Sequence, residues 1–566
     1  MHKHVTDLGA VAPRGGKPRQ EYSVTEVTKP RFALTVAMTF SFALLVAVGG
    51  CQTKPQILTG QKPIDRAVVE YPPGFELRPY VAGLTAPTAI AFDAEGSLLI
   101  AESGMGGDEP RIFGFKKDGT YFDVYPRGTR LPAFLSRAFR MEGPVGGMVA
   151  TGGRVYVTHR DAAGKGRVTA ISYDGKVDPK TIVADLPTRG DYGMTDVALH
   201  PNGRLYFGVG AATNSGVVGL DNLQAGWAKQ FPDFCDVPYA DVKLNGFRFD
   251  TTNPFASIFG GKDVAVTGPF QKFGASDQTG IPRPDGKPTA AVYSVDQAGG
   301  DLKVEAHGVR NPVGLTFNEY GTLYMTNQGM ELRGSRPVMD DNDAFLKMAG
   351  GETWYGWPDF SADLRPITER AAGAERGTFQ PPRELVLRSG YPDVRFLIDH
   401  AASRLIPPTP GAFVFGTFRP LSGASKFDFA PSSGPFRKFR GDAMVALSGD
   451  RAPFATSGYP MKGPTGYKVV LVNIDGRNVE DFVRNTQEGP ASRRGRDAAG
   501  LERPVDVKFG PDGAMYILDF GQLQMKNGRA DVKGGTGRIF RLSGTEAEAA
   551  SAAPETPGGA APERSK

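Results

Sequence analysis

Short apolar runs alternate with turn residues along most of this chain, and five stretches repeat one phrase: an apolar strand, a turn closed by Gly, and a second apolar strand. They read PTAIAFDAEGSLLIAE (Pro87 to Glu102), GGMVATGGRVYVTH (Gly146 to His159), DVALHPNGRLYFGVG (Asp196 to Gly210), PVGLTFNEYGTLYMT (Pro312 to Thr326) and PVDVKFGPDGAMYIL (Pro504 to Leu518). β-Branched and aromatic residues flank a Gly that tolerates positive φ, so each copy predicts a hairpin and not a helix. Further strand pairs are predicted around Asp118-Gly119, Asp174-Gly175 and Gly299-Gly300, and in YKVVLVNIDG ending at Gly476.

The turn glycines Gly96, Gly153, Gly203, Gly321 and Gly513 lie 57, 50, 118 and 192 residues apart. These intervals approximate multiples of one blade length with insertions, so an all-β propeller is predicted. A β-sandwich or barrel is the alternative, but more than ten strands over about 470 residues exceed what one sandwich usually holds.

Composition agrees with a turn-rich β protein: 566 residues, 40% apolar, with 74 Gly and 45 Pro. The formal charge of +5 gives no reason to expect nucleic acid, since residues 1–50 contribute three of those charges. Phe32 to Gly50 is an unbroken run of apolar or small residues after Lys29 and Arg31, and it ends at Cys51. Val48-Gly49-Gly50-Cys51 resembles the bacterial lipoprotein signal, which implies cleavage before Cys51 and a lipid on its sulfur. An uncleaved spanning helix is the alternative, because 19 residues match the thickness of a bilayer.

Four segments are therefore expected: an export signal with a polar extension (1–50), a lipid-anchored linker (51–72), the propeller (73–542) and a disordered tail (543–566), which lacks aromatic and bulky aliphatic residues. Gln52 in place of Asp after Cys51 points to an outer-membrane anchor facing the periplasm. The second cysteine, Cys235, is left without a disulfide partner.

Candidate chemistry concentrates between His307 and Phe360. Arg310-Asn311-Pro312 with Gly314-Leu315, the hairpin ending at Gln328-Gly329, the cluster Asp340-Asp341-Asn342-Asp343, and Tyr355-Gly356-Trp357-Pro358 occur in that order. This run resembles the soluble quinoprotein glucose and sorbosone dehydrogenases, six-bladed propellers that carry pyrroloquinoline quinone (PQQ) and calcium. FRGDAMVALSGD, GYKVVLVNIDG and RPVDVKFGPDGAMYILDFG look like the last blades of the sorbosone-dehydrogenase branch.

The resemblance implies that Arg310 stabilises charge on the reduced quinone, that Asn311 hydrogen-bonds the cofactor, and that the carbonyls of Gly329 and Met330 bind Ca2+. A flat tricarboxylate that accepts a hydride needs fixed cations, and Arg310 suits that need. Calcium accepts backbone oxygens, so Met330 where the family has Pro is compatible with the site. Arg451 falls near an Arg of that branch that could meet a cofactor carboxylate; a solvated surface Arg is the simpler reading. A hydrated acidic turn is the simpler reading of Asp340 to Asp343.

The departures fall on the acid-base pair. Tyr192 stands where the family has its catalytic His, Ala211 where an Asp holds that His, and Glu142 where a Gln contacts the cofactor. An ordinary phenol is protonated at neutral pH and is a poor base, which makes Glu142 the substitute candidate. His159, His200, His307 and His400 are read as structural, with His307 the nearest to the key loop. Trp227, Trp354 and Trp357 are read as blade packing, with Trp357 a candidate edge of the pocket.

Three functions follow as expectations. The first is a lipid-tethered PQQ dehydrogenase that oxidises a small sugar or sugar-derived aldehyde and passes electrons to a respiratory acceptor. The second is a propeller that has lost catalysis and binds carbohydrate or protein at the envelope. The third is a calcium-dependent lactonase-like hydrolase, for which no acidic ligand set is visible.

Overall fold

The computed structural model describes residues 54–545, apart from 106–108, 127–140, 174–178, 253–263, 285, 386–392, 496–498 and 527. The export signal, Cys51 and the tail from 546 onward lie outside the described residues, as does the Asp174-Gly175 turn.

Every predicted strand pair forms, and the strands gather into six sheets of four or five strands, antiparallel except where Thr353–Trp354 runs parallel to Lys303–His307. Blade one holds Pro87–Phe92, Leu98–Glu102, Arg111–Phe115 and Tyr121–Tyr125. Blade two holds Glu142–Thr151, Arg154–Arg160, Gly166–Ser172 and Lys180–Leu186; blade three holds Met194–Leu199, Arg204–Val209, Ala291–Asp296 and Lys303–His307. Blade four holds Pro312–Phe317, Leu323–Asn327, Asp343–Lys347 and Val414–Phe418, and blade five Ala424–Phe429, Ala443–Leu447, Lys468–Asn473 and Asn478–Asn485. Blade six joins both ends of the domain: Pro504–Phe509, Met515–Asp519 and Gly537–Gly544 are completed by Phe75–Leu84.

The first strand of each blade packs on the first strand of the next, and Pro504–Phe509 returns to Pro87–Phe92, so the ring closes at six. The fold is an all-β, six-bladed propeller, as the sequence predicts. Closure covers the two sheet faces that an open stack of blades would leave exposed at its ends. The turn glycines have the expected backbone, with φ of +90° at Gly203 and +72° at Gly513.

No single central core exists. Six apolar layers lie between blades instead, such as Val168, Leu186, Phe207 and Tyr293 between blades two and three, and Phe75, Phe436, Val469 and Ile517 between blades five and six. The inner strands are polar where they approach one another. Asp506 accepts from the Ile90 amide at 3.0 Å, Asp196 from Leu315 at 3.1 Å, and Lys426 donates to the Thr88 carbonyl at 2.6 Å, each bond crossing between blades.

The propeller begins before the expected residue 73. Gln56–Ile57 pairs with the Phe75–Leu84 strand of blade six, and Val69–Glu70 pairs with Asn478–Asn485 of blade five, so part of the expected linker is sheet. Two long insertions, residues 210–290 in blade three and 348–413 in blade four, share an apolar cluster that includes Phe249, Phe270, Trp357, Phe379 and Leu397. The first carries two short helices, Leu220–Ala225 and Trp227–Gln230. A hairpin of Leu523–Lys526 and Arg529–Val532 projects from blade six. These additions build the site. Among the described residues, no helix is long and apolar enough to cross a membrane.

Candidate functional site

Arg310 and Asn311 immediately precede the inner strand of blade four, and they are anchored to its neighbours. The Arg310 carbonyl accepts from the Ala211 amide at 2.7 Å, while the Asn311 side chain donates to Gln328 Oε1 at 2.9 Å. Gln328 in turn donates to the Ala424 carbonyl in blade five at 2.9 Å. The motif thereby ties blade four to both of its neighbours.

The Arg310 guanidinium is enclosed, with the residue 1% exposed. Its Nε donates to the Asn214 carbonyl at 2.9 Å, Nη1 to the Gln328 carbonyl at 3.2 Å, and Nη2 to Asn214 Oδ1 at 2.8 Å and to the Tyr192 hydroxyl. The Tyr192 ring lies against this guanidinium, 4.5 Å from Cζ to the ring centroid. Tyr192 also accepts from Arg333 Nη2 at 3.1 Å. Its oxygen therefore receives two guanidinium donors, and what the hydroxyl retains to offer is its own proton.

Beneath Tyr192 runs a balanced ionic network of three guanidinium groups and three carboxylates. Arg333 pairs with Asp191 at 2.7 Å, with Asp221 at 2.5 Å and with Glu331. Glu331 also meets Arg451 at 2.6 Å and lies 3.8 Å from Arg310. Burial alone would raise the Glu331 carboxyl, but Arg451, Arg333 and Arg310 together hold it well below the usual carboxylate range. Asp191 is fixed from its other side by the Trp227 indole N–H at 2.6 Å.

Above this network opens a cleft of about 720 Å³. Glu142 from blade two, Tyr192 from the connection into blade three and Arg451 from the loop within blade five all line it. Three candidates from distant parts of the chain thus meet in one cavity, with Arg310 directly under Tyr192. Arg451 is ion-paired with Glu331, with its side chain 35% exposed. Arg160, Arg189 and Arg529 share the wall with Trp227 and Phe231. Burial lowers Arg160 to about 10, against the opposing charge of Asp191.

The expected calcium position has a defined backbone. Gly329 donates its amide to Asp343 at 2.9 Å and Met330 to Asp341 at 2.7 Å. Asp341 and Asp343 also accept from Ala362 and Ala424, so these two acids brace the loop from inside and are not a hydrated turn. Burial, reinforced by the charge of Asp363, pushes the Asp341 carboxyl up to about 8. Among the described residues no group of three or more His, Cys, Asp or Glu is arranged to hold a metal ion.

The histidines are placed in packing roles. His159 bonds the Arg160 carbonyl and Thr169, both at 2.7 Å, His307 packs at 4.8 Å against the Tyr239 ring with the planes tilted by 42°, and His400 meets Asp359 at 3.0 Å. None of the four lines the cleft. Trp357 donates to the Asn214 carbonyl at 3.2 Å and so supports the Arg310 bracket from below, whereas Trp227 reaches the cleft wall. Ala211 is fully buried, with its carbonyl accepting from the Tyr192 amide at 3.2 Å. The Cys235 thiol is pushed up to about 12 by burial.

Sequence reasoning missed Asn214, Glu331, Arg333, Asp191 and Arg160. Glu331 and Arg333 follow Gly329-Met330 directly, so their charges in an otherwise apolar turn were an available signal. The others lie in insertions or strand ends whose partners only folding brings near.

No family model matches this chain, and no curated protein matches it. Solved structures do. The holo form of the PQQ domain of pyranose dehydrogenase from Coprinopsis cinerea is 15% identical, over 85% of this chain and 98% of that one, with a TM-score of 0.48. The PQQ-bound aldose sugar dehydrogenase from Streptomyces coelicolor is 15% identical over 84% and 99%, with a TM-score of 0.44. A calcium structure of a Trichoderma reesei carbohydrate-active enzyme of family AA12 is 15% identical over 86% and 100%, with a TM-score of 0.46.

Proposed function

We propose that this protein is an oxidoreductase of the PQQ sugar-dehydrogenase kind, acting on a small sugar or sugar-derived aldehyde. The convergence of Glu142, Tyr192 and Arg451 on one cleft above Arg310 carries the proposal. The cleft is roomy and rich in guanidinium groups that suit a flat tricarboxylate, while Arg310, Asn311, Gly329 and Met330 lie behind its lining. Arg451 and Arg529 would hold its carboxylates, and the carbonyls of Gly329 and Met330 would hold calcium. Bound PQQ supplies a carbonyl that accepts a hydride.

The chain's own groups divide the remaining work. Glu142 is the carboxylate assigned to take a hydroxyl proton from substrate, since the two aspartates that share the lining, Asp161 and Asp191, are paired with Arg167 and Arg333. Tyr192, pinned by two arginines, donates its proton to a ligand oxygen and keeps the Arg310 charge directly behind that position. Trp227 and Phe231 line the cleft with apolar surface, which limits water near the reacting carbon. A lipid on Cys51 would tether the domain on the periplasmic side, where a respiratory acceptor takes the electrons.

One observation favours a second reading, a propeller that binds without catalysis. Arg310 is fully engaged inside the protein, and the residue expected to be His is Tyr192.

Titration of the full chain with PQQ and calcium, followed by aldoses and aldosones while the quinone absorbance is monitored, separates the two. Saturable, calcium-dependent binding and bleaching by substrate are expected, with Glu142→Gln slowing turnover by about 100-fold or more. Failure to bind PQQ overturns the dehydrogenase reading and leaves the binding propeller. Full turnover in Glu142→Gln removes that residue from the role of base.

A further inference from the structure

The charges lining the cleft fall into two groups that behave differently. Below Tyr192, Arg310, Arg333 and Arg451 are matched by Glu331, Asp191 and Asp221, so the floor is closed and neutral. On the wall, Arg160, Arg189 and Arg529 have no carboxylate within ion-pairing distance among the described residues. Three acids share the lining with them: Asp161 is held by Arg167 at 3.0 Å and by the amides of Ala163 and Lys165, Asp191 by Arg333 at 2.7 Å and the Trp227 indole, and Glu142 stands opposite Arg160 in the blade-two ladder.

The hydrogen bonds of these arginines leave most of their donors open. Arg160 gives only Nη2, to the Gly190 carbonyl at 3.3 Å, and its buried Nε has no acceptor at all. Arg189 gives only Nε, to the Ala163 carbonyl at 3.0 Å, and is steadied by stacking 4.7 Å from the Phe231 ring centroid. A buried guanidinium nitrogen without an acceptor is costly unless a ligand supplies one. An arginine held by its Nε and by an aromatic face keeps both Nη groups for a bidentate anion. Trp227 and Phe231 place apolar ring surface beside these donors.

We infer that the wall formed by Arg160 and Arg189 is an anion subsite, and that the substrate is a sugar bearing a negative charge. The ring rests against Trp227 and Phe231 while its carboxylate or phosphate meets the guanidinium groups. This inference rests on the reading of the cleft as the substrate site and names the substrate class.

Calorimetric titration of the full chain with glucuronate, glucose 6-phosphate and glucose tests it, with and without bound PQQ and calcium. At least one charged sugar is expected to bind about tenfold or more tightly than glucose, weakening as salt rises. Which charged sugar wins separates a carboxylate from a phosphate ligand. Arg160→Met and Arg189→Met are each expected to remove most of that preference while the PQQ absorbance titration stays unchanged. If either variant fails to fold, the salt dependence of the unaltered chain gives the same readout.

Equal affinity for glucose and both charged sugars overturns the inference, whether or not PQQ binds. Preference for a charged sugar in a chain that does not bind PQQ upholds the anion subsite and overturns the dehydrogenase reading alone.

Discussion

Tyr192 is the residue on which the site turns. In the resemblance its position belongs to a general base, yet its oxygen is an acceptor for Arg310 and Arg333, and its ring shields the Arg310 charge. Removing that oxygen leaves two buried guanidinium groups short of an acceptor. Tyr192→Phe is therefore expected to destabilise the fold by about 1–3 kcal/mol, read as a shifted urea midpoint with an unchanged slope. An unchanged midpoint would show that water replaces the hydroxyl and that the cleft floor is open. The sequence supplied the identity of this residue and its departure from the family. It could not supply Glu331 and Arg333 as its neighbours, because they lie 139 and 141 positions further along the chain.

At the scale of elements, the blades were legible where a tight hairpin joins the two inner strands. Blades one, two, three, four and six carry the repeated phrase, and all five copies are the first and second strands of their blades. Blade five does not, because a longer loop with a short helical turn at Arg437–Phe439 separates Ala424–Phe429 from Ala443–Leu447. Its periodicity was too interrupted to count.

Close approach between blades explains glycines that the turn argument does not reach. A Cβ on Gly146 would stand 2.3 Å from the Met194 carbonyl oxygen and 2.6 Å from that of Thr195, both backbone atoms of the next blade's inner strand. Gly146→Ala must push blades two and three apart and is expected to cost about 1–3 kcal/mol or more. Gly350→Ala, with no atom within 4 Å of the added carbon, is the control and should stay within about 0.5 kcal/mol of the parent in the same urea titration.

Across the whole molecule, buried titratable groups set how stability follows pH. Burial lowers His159 and His307 to about 4, so below about pH 6.5 the unfolded chain takes up protons that the folded chain refuses. That contribution to stability is lost as pH falls from 6.5 toward 4. Burial acts in the opposite sense on Asp341, Asp343 and Asp236, raised to about 8, 6 and 6. Each holds a proton in the fold that the unfolded chain gives up, so its contribution fades as pH rises through those values.

Above about pH 6.5 the histidines are neutral in both states, and Asp341 remains as the group still titrating. Unfolding free energy is expected to fall by up to about 2 kcal/mol between pH 6.5 and 8. Asp341→Asn should abolish that slope, whatever it does to absolute stability. A parent whose urea midpoint stays flat across this window would mean that the Asp341 carboxylate is ionised in the fold and held by Met330 and Ala362 alone.

Local pattern determined the architecture class, the strands, most turns and the motif around Arg310, because strand alternation and turn chemistry act between residues close in the chain. Tertiary structure decided the rest. Closure of blade six by Phe75–Leu84, the pairing of residues 56–70 with the sheets, and the neutral network under Tyr192 all join segments distant in sequence. Whether a given arginine is enclosed, paired or open depends on which carboxylates the blades and insertions bring within reach. That depends on packing, which short-range pattern does not encode.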